Sequence, residues 1–103
     1  MEATQENALK YFSYCKDTGR LWRIHSNSNS VKHRLPKLVD GRDKEGYRVT
    51  YFAGRQYRAV RLIWLMVYGK EPEIGKLIDH KNLDKSDDRL ENLRLVACAW
   101  FLT

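Results

Sequence analysis

Cysteine is scarce in this 103-residue chain, which has only Cys15 and Cys98, far apart and forming no Cys-x-x-Cys pair. Neither a zinc site nor a disulfide framework is signalled, and a reducing cytoplasm is the expected compartment. Long apolar runs are missing too. The longest, Leu62 to Tyr68, falls far short of the ~20 residues that cross a bilayer, so no membrane partner is expected. The start, Met1-Glu2-Ala3-Thr4-Gln5-Glu6, has no basic segment followed by an apolar one and does not read as a signal peptide.

Negative charge is in short supply in the first half of the chain. Residues 1–58 hold 12 Lys and Arg against 6 Asp and Glu, whereas residues 59–103 hold 7 of each. The whole net charge of +6 therefore lies N-terminally, which suggests a polyanionic partner on that side. One chain of this length makes one domain with a modest core, and 12% aromatic residues suffice to fill it.

Turn and strand signals divide the chain. A helical turn is expected at residues 3–9, then the alternating stretch Leu9 to Tyr14, a turn at Asp17-Thr18-Gly19 and a strand over Arg20 to Ile24. Ser26-Asn27-Ser28-Asn29-Ser30 is a loop by composition. A second hairpin is predicted from Tyr47 to Phe52, through Ala53-Gly54-Arg55, back along Gln56 to Ala59. Val60 to Tyr68 is apolar nearly all round and is stopped by Gly69, so it reads as a buried helix on which the sheets pack. Arg61 within it needs a partner, and the Asp-rich loop further on is the expected source. Trp64 is expected to be packing, and His25 and His33 to be ordinary surface residues.

Chemistry concentrates between Leu77 and Arg94. A short apolar run delivers Asp79-His80, a loop crowded with carboxylates follows, and a second apolar segment begins just after Asn92. Hydrolysis of a phosphodiester needs a base to deprotonate water and a cation to stabilise charge on phosphate and leaving oxygen. A histidine, whose unperturbed side chain titrates near ~6.5 in general, suits the first role at position 80, and the Asp79 carboxylate suits a hard cation. Neighbours on a strand point to opposite faces, so the two can converge only at a strand end or twist. The alternate positions Asn82, Asp84, Ser86 and Asp88 do not make a calcium loop, because Asp87 stands where Gly is required and Leu93 where Glu is required.

Asp79-His80, the Asn82 loop, Asp87-Asp88-Arg89 and Asn92-Leu93-Arg94 resemble the HNH endonucleases, particularly phage homing-type members. Upstream, Gly46-Tyr47-Arg48-Val49, Tyr57, Arg61-Leu62-Ile63-Trp64, Gly69 and Pro72 extend the resemblance over most of residues 10–96. It implies a ββα-metal unit, with His80 as general base, Asp79 as ligand of one divalent cation (Mg²⁺ or Mn²⁺), and Asn92 as the central motif residue bracing the loop. Two positions depart from the family pattern. Val60 stands where a His usually precedes Arg-Leu, and a third motif residue, Asn or His on a following helix, would fall about where Phe101 stands shortly before the chain stops at Thr103.

The expected fold is therefore α+β: small antiparallel hairpins around one buried helix, followed by an incomplete ββα-metal unit. Residues 1–59 form a basic, β-rich DNA-contacting region and residues 60–103 the core helix and truncated HNH region. Arg20, Arg23, Arg48, Arg55, Arg58 and Arg94 are the candidate contacts to double-stranded DNA, with interleaved aromatics packing on sugars or bases. The alternative for the same arginines is a solvated face whose stems cover apolar area. Two functions are in view: a metal-dependent DNA endonuclease, and an inactive HNH-derived phage module that binds nucleic acid or a host protein complex, as an inhibitor of a defence system would. Trp100 and Phe101 hint at an interface.

Overall fold

The structure, a computed structural model, describes residues 1–26 and 34–97. The expectations for His33, Cys98, Trp100, Phe101 and most of the Ser/Asn loop lie outside the described residues.

Thr4 opens the first helix. Its hydroxyl accepts from the Asn7 N–H at 3.2 Å and caps α1 (Gln5–Tyr11). The chain then extends directly into β1 (Phe12–Tyr14), turns, and returns as β2 (Leu21–Arg23), with Ser13 opposite Trp22. A short β3 (Lys37–Leu38) completes this antiparallel sheet on the far side of β2. The second hairpin joins β4 (Val49–Phe52) to β5 (Arg55–Arg58), with Thr50 opposite Tyr57. Its two-residue turn has Ala53 at φ 52° and Gly54 at φ 81°, the pair of positive values that matches the twist of a tight hairpin.

Helix α2 (Ala59–Tyr68) follows β5 without a linker and ends on Gly69, left-handed at φ 80°, whose N–H reaches the Leu65 carbonyl at 2.9 Å. Ala59, Val60, Leu62, Ile63, Leu65 and Met66 are buried. The core gathers around them: Ala8 and Tyr11 from α1, Phe12, Leu21, Val39, the β-hairpin residues Phe52 and Tyr57, and Leu93 from the C-terminal strand. Burying a Leu or Ile side chain fully contributes about 1.5–3 kcal/mol, so Leu62 and Ile63, both at 0% exposure, anchor the domain. The helix is not covered all round. Val67 and Tyr68 are exposed, and half-buried Trp64 stacks on Tyr68 with ring centroids 4.3 Å apart. Arg61 finds its partner in Glu71, at 3.2 Å, just past the helix and not in the Asp-rich loop.

The last unit is a two-stranded ribbon, β6 (Lys76–His80) and β7 (Leu93–Ala97), antiparallel with Asp79 opposite Arg94 and His80 opposite Leu93. A twelve-residue loop joins them, closing through a 3₁₀ turn at Leu90–Asn92. Among the described residues the architecture is a small α+β domain of antiparallel strand pairs and two helices. Its one core cluster draws on both residues 1–59 and residues 60–103. Among the described residues no helix is long and apolar enough to cross a membrane.

Candidate functional site

The loop between β6 and β7 is rigid by construction. Asp84 N–H bonds Asn82 Oδ1 at 2.9 Å, and Ser86 N–H bonds Asp84 Oδ1 at 2.9 Å. The alternate polar positions thus form successive Asx turns rather than a calcium cage. Asn92, buried, ties the loop's ends. Its Nδ2 donates to Asn82 Oδ1 at 2.9 Å and to the Asp87 carbonyl at 2.8 Å, while its Oδ1 accepts from Asn82 N–H at 3.1 Å. A side chain with two donors and two acceptor lone pairs is what this junction requires.

At the end of β6, His80 turns inward. Its Nε2 lies 2.7 Å from Asp88 Oδ1, and the two residues are 4% and 1% exposed. An ionised carboxylate only accepts, so with Asp88 charged Nε2 carries the hydrogen and Nδ1 is left with the lone pair. Burial pushes the Asp88 carboxyl up from its ordinary range, opposed by the His80 hydrogen bond and charge and by the positive charges of Arg48 and Arg42. Among the described residues Asp88 Oδ2 has no hydrogen-bond partner. Tyr47 faces the imidazole, with ring centroids 6.1 Å apart.

The N-terminal hairpin holds this pair from behind. Tyr14 Oη donates to the Asp88 carbonyl at 2.5 Å, and Leu90 N–H donates to the Lys16 carbonyl at 3.1 Å. Burial pushes the Tyr14 hydroxyl's pKa well up, so it stays a donor. Asp87 is turned the other way, toward Arg89, whose Nε and Nη2 each reach one of its oxygens at 2.8 Å. Those hydrogen bonds hold its carboxyl far below the usual carboxylate range.

Asp79 does not meet His80 at a common point. It is half-exposed, and its Oδ2 accepts from Arg94 Nε at 3.1 Å and Nη2 at 2.9 Å across the ribbon. Alternation along β6 explains the divergence, since adjacent side chains leave a strand on opposite faces.

The remaining candidate arginines sort by what they already hold. Arg55 pairs with Glu71 at 3.2 Å, and Arg58 with Asp43 at 3.2 Å and Glu45 at 2.7 Å. Both also lie over aromatic rings, Arg55 over Tyr57 at 4.4 Å and Arg58 over Tyr47 at 4.0 Å. Arg23 covers Phe12 at 4.6 Å and donates to Thr50 Oγ1 and the Tyr51 carbonyl. Much of the interleaved basic and aromatic pattern is therefore internal scaffolding. Arg20 is exposed, and Arg48 has no carboxylate ion pair among the described residues. Arg42, which sequence reasoning passed over, stands directly opposite Arg48.

Comparison with known proteins points to the same family and fold. Residues 57–97 match a family model described as HNH endonuclease, a range that includes Asp79, His80 and Asn92. The fold is similar to a solved structure described as DNA binding and cleavage by the HNH homing endonuclease I-HmuI, with a TM-score of 0.56 and 21% identity over 89% of this chain. The chain spans about half of that protein, 49%. No curated protein matches it.

Proposed function

We propose, for a chain whose residues 57–97 carry the HNH endonuclease segment, that it is a DNA-binding nuclease-type module with its base prepared and, among the described residues, one carboxylate placed for a cation. The observation that carries this reading is the buried His80–Asp88 pair, held at 2.7 Å by a loop that Asn92 closes. A solvated loop histidine would need none of this support. Asp88 orients the imidazole, and Nδ1 is the atom able to take a proton from water, as a general base does.

The cation is a different matter. In this family a divalent ion would stabilise charge on the phosphate and the leaving oxygen. Among the described residues no group of three His, Cys, Asp or Glu is placed to hold a metal. Asp79 offers one carboxylate, and Arg94 already neutralises it at 2.9 Å. The described residues alone do not make a cation site. A second reading, a module that binds without cutting, makes the opposite prediction for nicking.

Both halves are testable together. The protein should bind duplex DNA, and binding should weaken steeply between ~50 and ~200 mM salt because phosphate contacts release counterions. Insensitivity to salt would reject a phosphate-dominated mode. On the second reading, plasmid nicking in Mg²⁺ or Mn²⁺ should be weak or at background. Robust nicking that disappears in a folded His80 variant would show a complete site.

A further inference from the structure

We propose that Arg42 and Arg48 form a two-arginine clamp for one phosphodiester group beside the His80–Asp88 pair. This rests on the DNA-binding reading above and assigns it a specific anion site.

The geometry is unusual in what it leaves unpaired. Arg42 and Arg48 are bridge partners in an antiparallel pairing, directly opposite each other. Like charges in that position destabilise. The turn between them is nonetheless firmly built: Asp43 N–H bonds the Tyr47 carbonyl at 2.9 Å, Asp43 Oδ1 accepts from Glu45 and Tyr47 N–H at 3.0 Å each, and Gly46 N–H bonds the Asp43 carbonyl at 3.0 Å. Arg48's own carbonyl accepts from Ala59 N–H at 2.8 Å, which fixes it to the start of α2. A scaffold this well determined holds two cations together at a cost, and a ligand that neutralises both offsets the cost.

Five other arginines are already paired with carboxylates, and these two are not. Arg55, Arg58, Arg61, Arg89 and Arg94 all make ion pairs. Lys85, which lies over Tyr47 at 4.6 Å, donates to the Glu45 carbonyl at 2.6 Å. Among the described residues neither Arg42 nor Arg48 has a carboxylate ion pair. Arg42 spends one nitrogen on the Gly46 carbonyl at 3.0 Å and is otherwise exposed, and Arg48 Nε is buried with no partner. The carboxylates of the turn, Asp43 and Glu45, are taken by Arg58, and the buried Asp88 is committed to His80 through Oδ1. With Asp43, Glu45 and Asp88 set against Arg42, Arg48, Arg58 and Lys85, the site next to the imidazole stays net positive, and paired forks of N–H donors suit a phosphate. Tyr47, between them in sequence, faces His80 and ties the clamp to the base.

The test uses the whole chain with the dinucleotide d(TpT) and with a 20-base-pair duplex. In NMR titrations, d(TpT) should shift the Arg48 Nε–H and the His80 ring signals together, with little effect on the Arg55 Nε–H. For the duplex, Arg42→Gln and Arg48→Gln should each lower affinity about tenfold or more, the loss expected for a charge-assisted hydrogen bond to phosphate. Each should also reduce the salt slope by about one. Arg42→Lys and Arg48→Lys should keep the slope while losing affinity, because charge remains and the fork does not. Duplex binding by wild type that is unchanged in slope and affinity in both Gln variants would overturn the clamp while leaving DNA binding intact. Absence of duplex binding by wild type would instead remove the reading on which it rests. If Arg48→Gln does not fold, the wild-type titration decides: shifts at Arg55 without shifts at Arg48 would overturn the assignment.

Discussion

Gly19 packs so tightly on Arg89 that a Cβ at position 19 would lie 2.5 Å from the Arg89 nitrogen and 2.7 Å from the Asp88 carbonyl carbon. The turn of the first hairpin thus touches the backbone of the residue that pairs with His80. Both close atoms belong to backbone, which cannot swing aside. Gly19 also sits at φ +77°, where a side chain costs about 1–3 kcal/mol from strain alone. Gly19→Ala should therefore destabilise by at least ~2 kcal/mol, visible as a lower urea midpoint at unchanged slope. A loss under half that size would mean the hairpin and loop are not in firm contact.

Asn92→Ala removes a different support. It strips the part-buried Asn82 N–H and Asp87 carbonyl of their partners, and the cost falls at the low end of the about 1–3 kcal/mol of a buried unsatisfied polar group. The loss should be local as well as global. Amide exchange at Asn82 and Lys81 should accelerate more than in α2, which hydrogen-exchange mass spectrometry or NMR can read. Uniform acceleration across the chain would instead make Asn92 an ordinary core residue.

Acid sensitivity follows from Asp87. Its carboxyl is held below its ordinary value by the Arg89 side chain, assisted by Asn82. A depressed folded pKa contributes stability that is fully present above the unfolded value near ~4 and is lost as pH falls from there through the folded value. Asp87→Asn should lower stability at neutral pH and flatten the acid limb of the stability profile below about pH 4. Denaturant melts at several pH values check this, and an unchanged acid limb would assign the sensitivity to other carboxylates.

Much of this organisation is legible in the residues themselves. The hairpin at Ala53-Gly54, the helix stopped by Gly69 and the loop from Asp79 to Asn92 carry short-range signals, because turn chemistry and periodicity act within a few residues. Partner choice does not. Asp88 looks like one more loop carboxylate beside Asp84 and Asp87, and only the packing of Tyr14 and Gly19 against it makes it the buried partner of His80. Arg61 turns to Glu71, ten positions on and across a turn, rather than to the acidic loop. The same limit explains the arginines. Arg55, Arg58 and Arg94 share the composition of a DNA-binding face with Arg48, and the fold decides which are already neutralised. Arg42 gave no signal apart from its charge.

The burial of His80 makes its usual replacement ambiguous, and resolving that ambiguity separates stability from chemistry. His80→Ala leaves Asp88 inside the protein without its hydrogen-bond donor, and truncating one member of a buried pair costs about 3–5 kcal/mol. A domain of this size has about 5–15 kcal/mol in total, so loss of any activity in that variant could reflect unfolding alone. Gln places its amide nitrogen the same number of bonds from Cα as the imidazole Nε2, so His80→Gln can still donate to Asp88 Oδ1, now 2.7 Å from Nε2. An amide has no basic nitrogen to take a proton from water. His80→Gln should therefore recover much of the stability that Ala loses and should bind duplex DNA like wild type. Any nicking above background in wild type should be absent from it. Urea melts, duplex titration and plasmid nicking on the three proteins give the comparison. Nicking by folded His80→Gln equal to wild type would remove His80 from the chemistry, whereas equal stability of the Ala and Gln variants would show that the Asp88 hydrogen bond contributes nothing measurable.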